Sequence, residues 1–207
     1  MSKRTRWIIG GGLVVVLLLG ITALGWTFPH VLGLPAHLVF KDKVNSNAQP
    51  KPDALQLEFV DRDGRKIDVR DYKGKKYLVV VIMRGFPGYV CPYCTAQTAR
   101  LIQNYDQFTQ RGAEVLVVFP GEKARAQDFA QASQTLAENK PLPFPVLLDE
   151  GLKVVEQLGI KGDLAKPSTY ILDKKGEIRF AYVGATLTDR PSVKAMLEQL
   201  DEINKAN

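Results

Sequence analysis

Cysteine and histidine, the usual ligands of structural zinc, are scarce in this chain of 207 residues. The sequence has only two cysteines, Cys91 and Cys94, and two histidines, His30 and His37, far upstream of them. Because a structural zinc site normally needs four such ligands, we expect no metal. The net charge is +6, but no zinc-finger spacing or basic arm is present, and the densest downstream basic cluster, 73–76, is typical of a solvated loop. We therefore also expect no nucleic acid partner.

Charged residues are absent from positions 7–28, an apolar run long enough to cross a bilayer as a helix. Three basic residues lie in the six positions before this run, and no further Lys or Arg follows until Lys41. The positive-inside rule then predicts that residues 1–6 are cytoplasmic and that the rest of the chain lies in the periplasm or outside the cell. The expected location is the inner or plasma membrane, with a single span. A cleaved signal peptide is the alternative, for which residues 23–25 offer a loose cleavage site.

Residues 29–52 are irregular and contain several prolines, which predicts a linker, and residues 53–207 form the predicted domain. Leu55–Val69, with Asp63-Gly64 at its turn, predicts a β-hairpin, and the apolar run Tyr77–Met83 is typical of a strand buried on both faces. Further strands are predicted at 114–119, 145–149, 168–173 and 178–183, and helices at 95–110, 123–138, 152–158 and 191–203. This order predicts an α/β fold with a central mixed sheet flanked by helices.

The two cysteines lie where the first central strand is followed by its helix, the edge at which α/β proteins form their sites. At a helix start, unpaired N–H groups and the helix dipole stabilise a thiolate. We therefore expect Cys91 to attack and Cys94 to resolve, through a reversible Cys91–Cys94 disulfide. Pro92 suits the first helical position, and Tyr93 is expected to serve recognition or packing. Half of a zinc site and a purely structural disulfide are the alternatives.

These motifs resemble the thioredoxin superfamily over roughly Leu55 to Ile203, and more narrowly its peroxiredoxin-like branch, the alkyl hydroperoxide reductase and thiol-specific antioxidant group. The resemblance rests on the apolar strand before the Cys91-Pro92-Tyr93-Cys94 motif, on residues 144–149, and on residues 167–173 with the Lys-Lys-Gly turn that follows. It implies a thioredoxin-like fold and a redox-active dithiol that needs no bound cofactor.

Two subfamilies compete within this resemblance. Peroxiredoxins carry a proline, three residues, a Thr or Ser, two residues and then the peroxidatic cysteine. Pro87 and Cys94 match that frame, with Cys91 at the Thr or Ser position. Peroxiredoxins place an arginine where this chain has Pro167, whereas thioredoxins and their membrane-tethered relatives place a cis-proline there. The resemblance thus implies a cis Lys166–Pro167 bond that presents backbone to a substrate segment. A trans proline at the strand start is the alternative.

The leading hypothesis is a membrane-anchored thiol–disulfide oxidoreductase that acts on protein disulfides as a reductant and is recharged by a membrane electron donor. The second is a thiol peroxidase in which Cys94 is peroxidatic. Arg84, just after the central strand, is its candidate for holding the peroxide, unless it is only a solvated strand-end residue. The third is a non-catalytic redox or metal-delivery protein, although copper-delivery relatives of this fold generally add a domain histidine, and none follows His37.

Overall fold

The computed structural model describes residues 40–85, 90–161 and 165–206. Within these ranges, no helix is long and apolar enough to cross a membrane. The predicted span at residues 7–28 lies outside the described residues, and so does Pro87.

Seven strands form one mixed sheet in the order β2-β1-β5-β4-β3-β6-β7. The strands are β1 (Glu58–Asp61), β2 (Lys66–Asp68), β3 (Tyr77–Ile82), β4 (Ala113–Phe119), β5 (Val146–Leu148), β6 (Ser168–Leu172) and β7 (Ile178–Val183). The helices are α1 (Pro92–Gln103), α2 (Tyr105–Thr109), α3 (Lys123–Leu136), α4 (Lys153–Gln157) and α5 (Val193–Lys205), with a 3₁₀ helix at Val69–Tyr72. This architecture confirms the predicted α/β fold with a mixed sheet flanked by helices.

The central strand β3 is buried along its whole length. It pairs in parallel with β4 and antiparallel with β6, so that Ile82 lies opposite both Val118 and Ser168. Alternate residues of β3 contribute to two apolar clusters, one on each face of the sheet. Burial on both faces explains why β3 is apolar at every position, as the sequence predicted.

The helix after β3 differs from its prediction over residues 95–110. It begins earlier, with Pro92 as its first residue, and it ends at Gln103, because the backbone of the next residue, Asn104 (φ −115°, ψ 13°), leaves the helical region. The Asn104 side chain also donates a hydrogen bond to the Arg100 carbonyl, which satisfies an acceptor at the end of α1. A separate short helix, α2, then buries Phe108. The apolar periodicity is continuous, but the helix is not.

The hairpin β1–β2 pairs antiparallel as predicted, with Phe59 opposite Ile67, and β1 also joins β5. Residues 40–52, which belong to the predicted linker, contain no helix or strand but pack on the domain. Phe40 is buried, and Asn47 hydrogen-bonds to the backbone of β7 at Ala181 and Val183.

Candidate active site at the Cys91–Cys94 dithiol

The dithiol lies at the junction between β3 and α1, as the sequence predicts. Cys91 is the residue that caps α1, and its extended backbone (φ −69°, ψ 116°) precedes Pro92, the first residue of the helix. Cys94 lies within the first turn. Both residues are free thiols, and both are buried, with 6% of Cys91 and 1% of Cys94 exposed.

A buried arginine contacts the inner thiol. Arg190, on the connection between β7 and α5, is 1% exposed, and its Nη2 donates to Cys94 Sγ at 3.3 Å. Its Nη1 donates to Gln97 Oε1 at 2.7 Å, and its Nε donates to the Leu187 carbonyl at 2.7 Å. The guanidinium is thus fixed by hydrogen bonds from two sides, and a positive charge is held against one of the two sulfurs.

These contacts make Cys94 the acidic thiol of the pair. Burial alone would raise its pKa, but the Cys91 thiol, the Arg190 charge and the Arg84 backbone N–H each stabilise the anion and lower the pKa to about 6. The pKa of Cys91 is raised, chiefly because its proton is shared with the Cys94 sulfur and secondarily because it is buried. The Arg190 contact thus favours the thiolate form of Cys94 over that of Cys91.

The expectation that Cys91 is the attacking thiol therefore differs from this electrostatic arrangement. That expectation rested on the unpaired N–H groups of the first turn and on the helix dipole, whose partial charge at the N-terminus is about half an elementary charge. A full guanidinium charge within hydrogen-bonding distance of Cys94 is the stronger influence, and a distant part of the chain supplies it.

Arg84 contributes to the site through its backbone, whose N–H stabilises the Cys94 thiolate. The guanidinium that the structure places 3.3 Å from Cys94 Sγ is that of Arg190, whereas the sequence suggested Arg84. Gly85, which follows, has φ +67°, and a Cβ on it would lie 2.0 Å from the Pro120 carbonyl oxygen. The loop that carries the Arg84 N–H therefore packs tightly against the end of β4.

Pro167 lies at the same sheet edge as the dithiol, because Ser168 pairs with Ile82 at the end of β3. The predicted cis Lys166–Pro167 bond is wrong, since the described residues contain no cis peptide bond. The Pro167 carbonyl accepts a hydrogen bond from the Gly184 N–H at 2.8 Å. The backbone N–H of Lys166 donates to Ile160, and its carbonyl accepts from the Ser168 hydroxyl. The backbone groups expected to pair with a substrate segment are thus engaged within the chain.

Of the other predicted site residues, Pro92 is exposed and Tyr93 is partly buried against the apolar cluster that contains both cysteines. Gln97, one turn after Cys94, is 2% exposed, and its Nε2 has no hydrogen-bond partner in the part of the chain that the structure describes. It is a buried donor beside the Arg190 guanidinium. The described residues also contain no group of three or more His, Cys, Asp or Glu side chains able to hold a metal ion.

Sequence reasoning missed Arg190 and Gln97. Gln97 could have been found from its spacing, because a residue three positions after Cys94 lies on the same helix face. Arg190 is 96 residues from Cys94, and only the placement of β7 and α5 brings it there. The local sequence offers one indication of Arg190: it is a basic residue that directly precedes Pro191 and Ser192, the residues before α5.

Comparison with known proteins identifies related sequences and folds. Residues 49–181 match the model of the AhpC/TSA family. Chloroplastic peroxiredoxin Q of Sedum lineare is 31% identical over 68% of this chain and 69% of its own length. The thiol-disulfide oxidoreductase ResA of Halalkalibacterium halodurans is 25% identical over 99% of this chain and 98% of its own length. The solved structure of Mycobacterium tuberculosis AhpC has a TM-score of 0.56 and 26% identity, covering 69% of this chain and 77% of that one.

Proposed function

Since this chain belongs to the AhpC/TSA family and is an oxidoreductase, we propose that it reduces small hydroperoxides, with Cys94 as the attacking thiolate and Cys91 as the resolving thiol. The observation that carries the proposal is the buried Arg190 guanidinium, 3.3 Å from Cys94 Sγ. A guanidinium at that distance keeps the sulfur ionised before attack. It also offers hydrogen bonds to peroxide oxygens, on which negative charge develops during attack.

The first step uses the Cys94 thiolate. Its sulfur attacks the hydroxyl oxygen of the hydroperoxide, an S–O bond forms and the O–O bond breaks. The other oxygen takes the proton of that hydroxyl and leaves as an alcohol or water, and a proton from solvent converts the sulfenate to the acid. Cys94 is oxidised to a sulfenic acid as the peroxide is reduced. Gln97 Nε2, a buried donor beside Arg190, can hydrogen-bond to the oxygen that Cys94 gains.

The second step uses Cys91. Its sulfur attacks the Cys94 sulfenic sulfur, an S–S bond forms, and the hydroxyl leaves as water with the Cys91 proton. The placement of the two cysteines supports this order, because Cys91 directly precedes α1 and Cys94 lies within its first turn. An external dithiol then reduces the disulfide and restores both thiols.

Access to the site supports a small substrate. Cys94 is 1% exposed, and a peroxide needs far less room than a disulfide of a folded protein. The engaged backbone of Lys166 and Pro167 supports the same conclusion, since a substrate strand would compete with existing hydrogen bonds there.

Exchange with protein disulfides is the second candidate. The position of Cys91 at the start of α1 favours it, and so does the similarity to ResA over nearly the whole chain. In this candidate Cys91 attacks and Cys94 resolves. A membrane anchor at residues 7–28, an outward-facing domain and a membrane electron donor belong to this proposal.

Two assays on the full chain separate the candidates. The first follows consumption of hydrogen peroxide in the presence of a dithiol, and we expect Cys94→Ser to abolish it. The second mixes Cys94→Ser with a disulfide-containing protein. A mixed disulfide on Cys91 that forms rapidly, together with peroxide consumption no faster than that of a free thiol, would replace the peroxidase with the exchange function.

A further inference from the structure

We infer that Lys41, on the segment that leads into the domain, is a positioning residue that holds Arg190 against Cys94. This inference rests on the proposed function, because it takes the Arg190 guanidinium to set the reactivity of Cys94. Lys41 acts together with Tyr182 and Asp189, and these three residues are called the clamp below.

The clamp fixes the residue directly before Arg190. Lys41 Nζ lies 2.6 Å from Asp189 Oδ1 and 3.0 Å from the Tyr182 hydroxyl. The Tyr182 hydroxyl donates to the same carboxylate oxygen at 2.5 Å, and the backbone N–H of Ala185 donates to the other at 2.9 Å. Burial opposes ionisation of Asp189, but the hydrogen bonds from Lys41 and Tyr182 outweigh it and lower the pKa of this carboxyl. Three groups thus contact the Asp189 carboxylate: the Lys41 ammonium, the Tyr182 hydroxyl and the Ala185 N–H.

The backbone of the same segment holds Arg190 itself. The Lys41 N–H donates to the Arg190 carbonyl at 2.8 Å, and the Lys41 carbonyl accepts from the Ser192 N–H at 2.8 Å. The Ser192 hydroxyl, which caps α5 by accepting from the Ala195 N–H, also donates to Asp42 Oδ1 at 2.6 Å. Arg190 therefore lies between Asp189 and Ser192, and residues 41–42 contact both of these residues.

Phe40 connects this segment to the helix that carries the cysteines. It is 3% exposed, and the guanidinium of Arg100, on α1, lies 4.7 Å from the centre of its ring. Three consecutive residues, 40–42, thus contact both α1 and the connection that carries Arg190. The distance between Cys94 and the guanidinium depends on the relative position of these two elements, and residues 40–42 contact both.

If Lys41 only stabilised the fold, its replacement would leave the pKa of Cys94 unchanged. The Lys41 side chain is 54% exposed, and an ion pair at such a position contributes little to folding. Positioning has a different consequence, because the interaction between charges varies with distance. A retreat of the guanidinium from Cys94 by about 1 Å raises the pKa of Cys94 by about one unit.

The test measures the pKa of Cys94 from the pH dependence of its alkylation by iodoacetamide, in the full chain with Cys91→Ser. Lys41→Met and Asp189→Asn are the test variants, and Lys43→Met, at an exposed lysine two residues away, is the matched control. We expect both test variants to raise the pKa by about one unit above that of Cys91→Ser alone, so that alkylation at a pH equal to the pKa of Cys94 in Cys91→Ser slows about fivefold. The control is expected to leave it unchanged.

The pair of variants separates positioning from direct charge effects. If Lys41 and Asp189 acted on Cys94 only through their charges, removing the cation would raise the pKa and removing the anion would lower it. Shifts of opposite sign, or no shift in either variant, would overturn the inference. Arg190→Met keeps the two proposals distinguishable. If it raises the pKa and the clamp variants do not, only the clamp fails, and if it has no effect, the thiolate role of Arg190 in the proposed function fails as well.

Discussion

Replacement of Arg190 by methionine tests the thiolate site most sharply. At 3.3 Å and an effective dielectric constant of about 20, a full charge pair is stabilised by about 5 kcal/mol, equivalent to three to four pKa units. Burial opposes this effect, and the Cys91 thiol and the Arg84 backbone N–H add to it, so that together they lower the pKa of Cys94 from its ordinary 9.0 to about 6. Without the guanidinium, we expect the pKa of Cys94 to return to about 9 or above.

The consequence at neutral pH is large. With a pKa of about 6, about 90% of Cys94 is ionised at pH 7, and with a pKa of about 9 this fraction falls to about 1%. The second-order rate of reaction of Cys94 with iodoacetamide, followed in the chain that keeps both cysteines and with the alkylated residue located by mass spectrometry, should fall about 100-fold. Arg190→Lys keeps the charge but loses the fork of donors, so we expect an intermediate effect.

Arg125→Met is the control for this variant, because Arg125 is an exposed helix arginine paired only with its neighbour Asp128 among the contacts described. Thermal unfolding of all variants checks that the fold is retained. A rate that stays within about threefold of the parent protein in a folded Arg190→Met would refute the electrostatic account of Cys94, since it corresponds to less than about 1 kcal/mol.

Two further predictions concern the structure around the sulfur. Gly85→Ala should destabilise the domain by about 2–4 kcal/mol in urea unfolding, because its Cβ would lie 2.0 Å from the Pro120 carbonyl oxygen. Gly74→Ala, at a similar φ but with open space around the Cβ, should cost only the backbone strain of about 1–2 kcal/mol. Equal losses of stability in the two variants would contradict the clash at Gly85. The pKa of Cys94, about 6 in the folded protein against an ordinary 9.0, means that its ionisation stabilises the reduced protein fully above about pH 9 and that this contribution is lost as the pH falls through about 6. Unfolding of Cys91→Ser compared with the double serine variant should show a difference that shrinks towards low pH, and a difference independent of pH would be inconsistent with a thiolate.

Local sequence signals predicted the elements that position the dithiol. The apolar run of β3 identified a strand buried on both faces, and Pro92 marked the first turn of the following helix. The end of that helix at Asn104 was not predictable from apolar spacing, because Phe108 continues the same apolar face and is buried in the separate helix α2. Periodicity identifies which residues are buried but not where the backbone changes direction.

The charge at the site was not predictable from local sequence. The unpaired N–H groups and the dipole of the helix favour Cys91, and the one cation that the neighbouring sequence suggested was Arg84. Arg190 reaches Cys94 only after β6 and β7 have added to the sheet beside β3 and the chain has turned into α5. The position where the resemblance placed either an arginine or a cis-proline holds a Pro167 that follows a trans bond, and the arginine comes from another connection.

The central claim is that Cys94 is the thiolate that attacks peroxide, and rapid mixing of each single-serine variant with one equivalent of hydrogen peroxide tests it directly. Sulfenic acid is trapped with a dimedone probe and located by mass spectrometry. We predict that Cys91→Ser forms a sulfenic acid on Cys94 at least about 100-fold faster than free cysteine, and that Cys94→Ser reacts no faster than a free thiol. Rapid sulfenic acid formation on Cys91 in Cys94→Ser, with slow reaction in Cys91→Ser, would contradict the account.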